Sequence, residues 1–183
     1  IDRVHQGHDA HHSGLDVFND AHRLSLTYRF GRVPARKRAN PTGASGRRVV
    51  IEDRKRCPFY SAVFLEEVQS AQTPHPMKQR LEAAGLRSVS FLVDVTNYVL
   101  LEMGQPLHAF DADSLRGKEI RVRTAKLKEA FIAINGATLT LNDDDLVIAD
   151  SENAVALAGV MGGKNTEVSA KTRNIFLESA FFH

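Results

Sequence analysis

Hydrophobic and polar positions divide the chain into two unequal parts. Residues 1–46 carry apolar patches only at 15–18 and 24–28, and the stretch 31–46 is rich in Arg, Pro, Gly and Ser. This composition predicts a loosely organised lead-in or linker. From residue 47 the pattern becomes regular. Short apolar runs at 49–51 and 60–65 predict strands, separated by a charged turn that ends in Cys57-Pro58. Pro74 and Pro76 precede a short amphipathic helix over 77–84; proline suits a first helical turn, and Gly85 suits the position after the end. The β-rich run 89–93 predicts another strand. Asp94 or Thr96 then caps a helix through Tyr98, Val99, Leu100 and Met103, which Gly104 ends. Further strands are expected at 120–123, 130–134, 146–149, 154–160 and 174–179. Asn135-Gly136 marks a hairpin, because both residues tolerate positive φ. Strands mixed with a few short helices predict an α+β domain over 47–183, built of mixed or antiparallel β-rich layers.

Composition narrows the classes open to this pattern. A length of 183 residues, 43% hydrophobic and 25% charged, fits one domain or two small packed ones. No apolar run is long enough to cross a bilayer as a helix. There is no initiating Met and no signal-peptide pattern, so the chain reads as a piece of a longer protein. Lys and Arg total 24 against 22 Asp and Glu, a formal net charge of +2 that does not by itself mark a nucleic-acid binder. Basic residues do gather at Arg29, Arg32, Arg36, Lys37 and Arg38, and again at Arg47, Arg48, Arg54, Lys55 and Arg56. Those clusters suit either a solvated loop or a surface that meets phosphate. Cys57 is the single cysteine. It allows no internal disulfide, excludes a cysteine-rich zinc site and favours the cytoplasm. Five of the eight histidines lie at 5, 8, 11, 12 and 22, in a spacing that matches no closed metal site.

No nucleophile elbow, HExxH, P-loop or dinucleotide fingerprint is present. Four unusual strings are: Val93-Asp94-Val95-Thr96-Asn97-Tyr98-Val99, Gly104-Gln105-Pro106-Leu107-His108-Ala109-Phe110-Asp111, Ala156-Leu157-Ala158-Gly159-Val160-Met161-Gly162-Gly163, and Asn174-Ile175-Phe176-Leu177-Glu178-Ser179-Ala180-Phe181-Phe182. In this order and spacing they closely resemble the B3/B4 region of bacterial-type phenylalanyl-tRNA synthetase β subunits. The likeness begins near Val49 and takes in Cys57-Pro58-Phe59-Tyr60-Ser61 and Lys78-Gln79-Arg80-Leu81-Glu82-Ala83-Ala84-Gly85. Three departures stand beside it. The first 45 residues do not look like the family's preceding domain. Asn135-Gly136 replaces an Asp-Gly turn. The chain stops at His183, where the family's domain continues, so a C-terminal truncation is expected.

The resemblance implies an editing domain that hydrolyses mischarged tyrosyl-tRNA(Phe). Phenylalanine and tyrosine differ by one hydroxyl, and a pocket built for the smaller side chain rejects an added hydroxyl by only about 10²-fold. A second site that prefers the hydroxyl can remove the error. Glu178 lies in an otherwise apolar strand, where an acid is costly unless paired; by resemblance it recognises the phenol. Gly162, in the turn after Met161, leaves room for the tyrosyl ring. His108, in a loop whose course Pro106 fixes, orients the hydrolytic water. Thr96 and Asn97, at a strand-to-helix junction, line the pocket near the ester and amino groups; the same residues serve equally as helix caps. Asp94 and Asp111 are read as capping or structural. No metal and no cofactor is expected in this domain; ATP and Mg²⁺ belong to the parent synthetase elsewhere. The implied partners are the acceptor end of tRNA(Phe) and the synthetase α subunit, with no membrane. A non-catalytic structural or tRNA-binding module, or a free-standing editing or RNA-binding protein, is the alternative.

Overall fold

The computed structural model describes Gly46 and residues 48–183. The expectations for the lead-in, its histidines and its basic residues up to position 45 lie outside the described residues. Among the described residues, ten strands and two helices follow one another in an α+β arrangement. They are β1 (Arg48–Ile51), β2 (Phe59–Leu65), α1 (His75–Ala83), α2 (Phe91–Met103), β3 (His108–Asp111), β4 (Glu119–Thr124), β5 (Glu129–Ile132), β6 (Thr138–Leu141), β7 (Leu146–Ala149), β8 (Ala154–Leu157), β9 (Met161–Gly162) and β10 (Ile175–Phe181). A single 3₁₀ turn, Lys164–Thr166, follows β9.

These strands form a five-stranded sheet in the order β1-β4-β7-β8-β9, a three-stranded sheet in the order β2-β10-β3, and the β5-β6 hairpin. All neighbours run antiparallel except β1 and β4. The two larger sheets share a core. Ile120, Val122, Ile148 and Ala156 from the first meet Tyr60, Phe110 and Phe176 from the second. Because side chains alternate along a strand, Phe176 and Ala180 of β10 enter this core while Leu177 faces the other way, onto Val99 of α2. The same alternation sends Phe110 inward and Ala109 outward on β3, and Tyr60 and Ala62 inward and Val63 outward on β2. Helix α1 packs Met77 and Leu81 on Val95 and Tyr98 of α2. The β5-β6 hairpin covers the remaining face of the five-stranded sheet through Phe131 and Leu141. It is tied down by the Arg123–Glu129 ion pair at 2.7 Å, whose guanidinium holds the Glu129 carboxyl down at about 2.

Most strands lie where the alternation puts them, and Asn135-Gly136 closes the β5-β6 hairpin, with Gly136 at φ +86°. Six expectations are corrected. Residues 89–93 do not form a strand: α2 begins at Phe91, after Ser90. Its buried positions Leu92, Val95, Tyr98 and Val99 follow a helical spacing that overrides β-propensity. Asp94 is therefore not an N-cap. It sits inside the first turn, fully buried, and its carboxylate accepts hydrogen bonds from Ser88 Oγ at 2.6 Å, Val89 N at 2.9 Å and Thr73 Oγ1. Thr96 and Asn97 lie within the helix and not at a junction, and Thr96 Oγ1 donates back to the Val93 carbonyl at 2.8 Å. His108 opens strand β3 instead of standing in a loop, and Gly162 belongs to β9, paired with Ala156, instead of a turn. The strand expected over 154–160 ends at Leu157, where the chain reverses into β9.

Candidate active site

The site lies where the space between the two larger sheets opens to solvent. His108 is two residues before Phe110 on β3, so alternation aims it into that space. Glu178 is two residues after Phe176 on β10 and shares the same face. Register pairs Glu178 with His108 across the two strands. On β2 the same face carries Tyr60, whose hydroxyl donates to Glu178 Oε2 at 3.1 Å. From the opposite sheet Gly162 comes up against the imidazole: a Cβ at that position would lie 2.6 Å from Cε1 and 2.9 Å from Nε2 of His108. Phe110 meets the same ring edge-on at a centroid distance of 4.5 Å. Glycine at 162 is thus a steric requirement of the histidine's position. Its neighbour Gly163 is held as closely, its N–H donating to the Val155 carbonyl at 2.7 Å.

Of these groups His108, Glu178 and Gly162 border a pocket of about 500 Å³. Its floor is Ile148, Ala156 and Gly162 of the five-stranded sheet, and its other wall is His108, Glu178 and Ala180. The segment from Gly104 to Leu107 forms the rim, with Pro106 in it. Gln105 ties this rim to β10, donating from Nε2 to the Ala180 carbonyl at 3.3 Å.

Burial sets the ionisation. Glu178 is 6% exposed. Desolvation raises its carboxyl to about 8, against the opposing effect of the Tyr60 hydrogen bond. Burial likewise pushes the His108 imidazole down to about 4, so it is neutral at pH 7. A neutral imidazole offers one donor and one acceptor nitrogen, the combination that orients a water molecule. Cys57 lies behind this cluster, its thiol raised to about 11 by burial and then by Glu178. Among the described residues, no group of three or more His, Cys, Asp and Glu side chains is placed to hold a metal ion.

Of the six residues singled out in the sequence, His108, Glu178, Gly162 and Pro106 border this one pocket. Thr96 instead lines a second pocket of about 510 Å³, bounded by Leu92, Val95, Ala109 and Leu177 on the opposite face of the three-stranded sheet. Asn97 follows it on α2 and borders neither pocket. Asp111 is structural as expected, accepting from Thr172 Oγ1 at 2.6 Å and from the Asp113 N–H at 3.0 Å. Sequence reasoning missed Tyr60. The available signal was its alternation with Ala62 and Phe64, which buries a phenol that then needs a partner.

The chain has known relatives. A protein-family model for the B3/4 domain matches residues 56–183, and the chain belongs to that family. Curated relatives that it matches include phenylalanine–tRNA ligase β subunits. The one from Protochlamydia amoebophila is 54% identical over 132 residues, covering 72% of this chain and 16% of its own length. The one from Geobacter metallireducens is 44% identical over 163 residues, covering 89% of this chain and 20% of its own length. The chain thus spans a fifth or less of these relatives. The fold is also that of an N-terminal fragment of the phenylalanyl-tRNA synthetase β subunit from Pyrococcus horikoshii, at a TM-score of 0.53 and 16% identity over 88% of this chain and 49% of the fragment.

Proposed function

We propose that this chain is the editing region of a phenylalanine–tRNA ligase β subunit and hydrolyses the ester of tyrosyl-tRNA(Phe). The observation that carries this reading is the convergence of a buried carboxyl, Glu178, and a neutral imidazole, His108, on one pocket whose far wall is pared back to glycine. A phenol reaching Glu178 gains a hydrogen bond with the buried acid, whereas a phenyl ring leaves that acid without the partner. Discrimination then runs in favour of tyrosine, the reverse of what a pocket built for phenylalanine achieves.

In this reading Gly162 leaves the space that the His108 imidazole fills, and not space for the substrate ring; Pro106 shapes the rim over which the acceptor end enters. His108 holds water against the ester carbonyl. Attack forms the new C–O bond, the bond to the ribose oxygen breaks, and the water's proton passes to that oxygen as the free 3′ end leaves. An aminoacyl ester is already activated, so no covalent nucleophile is required. Thr96 and Asn97 enter only through the family resemblance, near the ester and amino groups. Their place on α2 requires the substrate to reach round the end of the three-stranded sheet. The reading includes no cofactor in this domain and leaves ATP and Mg²⁺ to the synthetic site of the parent enzyme. It also makes the acceptor end of tRNA(Phe) and the α subunit partners of the parent protein, in the cytoplasm. Among the described residues no helix is long and apolar enough to cross a membrane.

The test is deacylation by the full parent enzyme under single-turnover conditions, with tyrosyl- and phenylalanyl-tRNA(Phe) compared. Faster release of tyrosine is expected. Rates no greater than the spontaneous rate would leave the domain a non-catalytic part of the synthetase, and equal accelerated rates would remove its selectivity for tyrosine.

A further inference from the structure

Tyr60 is buried on β2, and its ring belongs to the core between the two sheets. A phenylalanine would fill the same space, so packing alone does not account for the hydroxyl. That hydroxyl donates to Oε2 of Glu178 at 3.1 Å. Burying a phenol and a carboxyl together is less favourable than burying two apolar groups of the same shape. The pair therefore has a use other than stability. A carboxylate has two oxygens and about four acceptor positions. With Tyr60 on one oxygen, its plane and tilt are set and the other oxygen remains for a ligand.

We infer that Tyr60 is the positioning residue for tyrosine selection: its phenol fixes the Glu178 carboxylate so that the substrate's phenol meets the second oxygen in one defined orientation. The inference rests on the tyrosyl-ester reading above. In it the acid is held between two phenols, one from the protein and one from the substrate, and a phenyl side chain can complete only half of the arrangement. Besides Tyr60, the titratable groups around Glu178 are His108 from β3 and Cys57 from the turn before β2; the facing sheet contributes Ile148, Ala156 and Gly162, none of which titrates. His108 at about 4 and Cys57 at about 11 leave Glu178, at about 8, as the member of this cluster that changes charge near neutrality.

The test is Tyr60→Phe in the full parent enzyme, read as the ratio of tyrosyl to phenylalanyl deacylation rates across pH. The ratio is expected to fall roughly tenfold, the upper scale of one lost hydrogen bond. Because the Tyr60 bond lowers the Glu178 pKa, the midpoint of the ratio's pH dependence is expected to move to higher pH. In a Glu178→Ala background the same change should have no further effect on the ratio. An unchanged ratio with an unmoved midpoint overturns the inference, as does an equal fall in the Glu178→Ala background. If Tyr60→Phe does not fold, a fluorinated tyrosine at position 60 keeps ring and hydroxyl and strengthens the donor. The midpoint should then move to lower pH, and an unmoved midpoint overturns the inference. Loss of the ratio in Glu178→Ala alone, with Tyr60→Phe silent, removes Tyr60 and leaves the editing reading intact. A wild-type enzyme that does not prefer the tyrosyl ester removes both.

Discussion

The two faces of the three-stranded sheet carry pockets of nearly equal volume and opposite character. Successive residues of β10 serve them in turn: Leu177 lines the pocket beneath α2, and Glu178 lines the pocket between the sheets. On β3 the same division falls between Ala109 and His108. The helix-side pocket has an apolar floor of Val95, Leu92, Ala109 and Leu177, with acids Glu66 and Glu67 at its margin. The inter-sheet pocket holds a buried acid, a neutral imidazole and a glycine wall. Volume does not separate the two, but the period of a strand does: a shift of one residue would exchange the chemistry of the faces. Under the proposed function, catalysis belongs to the even-numbered face and structural support to the odd.

The largest expected effect on this contrast comes from His108→Ala. In the parent enzyme it should slow tyrosyl-tRNA(Phe) hydrolysis by about 10²-fold, if the imidazole orients or activates water. Phenylalanine charging should stay close to wild type. Single-turnover deacylation checks the first and aminoacylation the second; unchanged deacylation would remove His108 from the mechanism. A smaller loss, about tenfold or more, is expected from Gly162→Ala. The added methyl would enter the space of His108 Cε1 and drive the ring from its place without touching the phenol site. Its mark should be slower hydrolysis with the preference for tyrosine retained.

Folding stability sharpens the contrast next. Glu178 has a folded-state pKa near 8 against an ordinary value of 4.5. Below the ordinary value the carboxyl is neutral in both states and carries no penalty. As pH rises from there through 8, the unfolded chain ionises first and native stability is lost. Glu178→Gln should therefore stabilise the protein increasingly across that window, by on the order of 4 kcal/mol at its upper end. Urea unfolding at several pH values measures it, and a pH-independent difference would mean that the acid is not desolvated as described. On the other face, Leu177→Ala should lower stability by about 2–5 kcal/mol. In protein that remains folded it should leave the ratio of tyrosyl to phenylalanyl hydrolysis unchanged.

The sequence made most of the sheet legible because alternation and turn chemistry are local signals. Asn135-Gly136 specifies its hairpin whatever surrounds it. The run 89–93 misled for the opposite reason. Val89 and Val93 favour strand, yet the buried Asp94 gathers Ser88, Val89 and Thr73 around it and starts a helix at Phe91. That network joins residues up to 21 positions apart and is invisible to a short window. Four site residues could be named from the family's strings, but their meeting depends on register between β3 and β10 and on β9 crossing from the other sheet. Tyr60 was harder still. It lies 118 positions from Glu178, and nothing local distinguishes its hydroxyl from that of any strand tyrosine.

The central claim is that the even face reads a hydroxyl through Glu178. It is tested most directly by the ratio of tyrosyl- to phenylalanyl-tRNA(Phe) deacylation rates in Glu178→Ala parent enzyme that melts like wild type. A site that bonds a hydroxyl discriminates against the substrate lacking it, and removing the bonding group abolishes that discrimination. The expected result is a ratio falling toward one, with tyrosyl hydrolysis reduced. A ratio equal to wild type would contradict it and make Glu178 a structural acid, with tyrosine selected elsewhere.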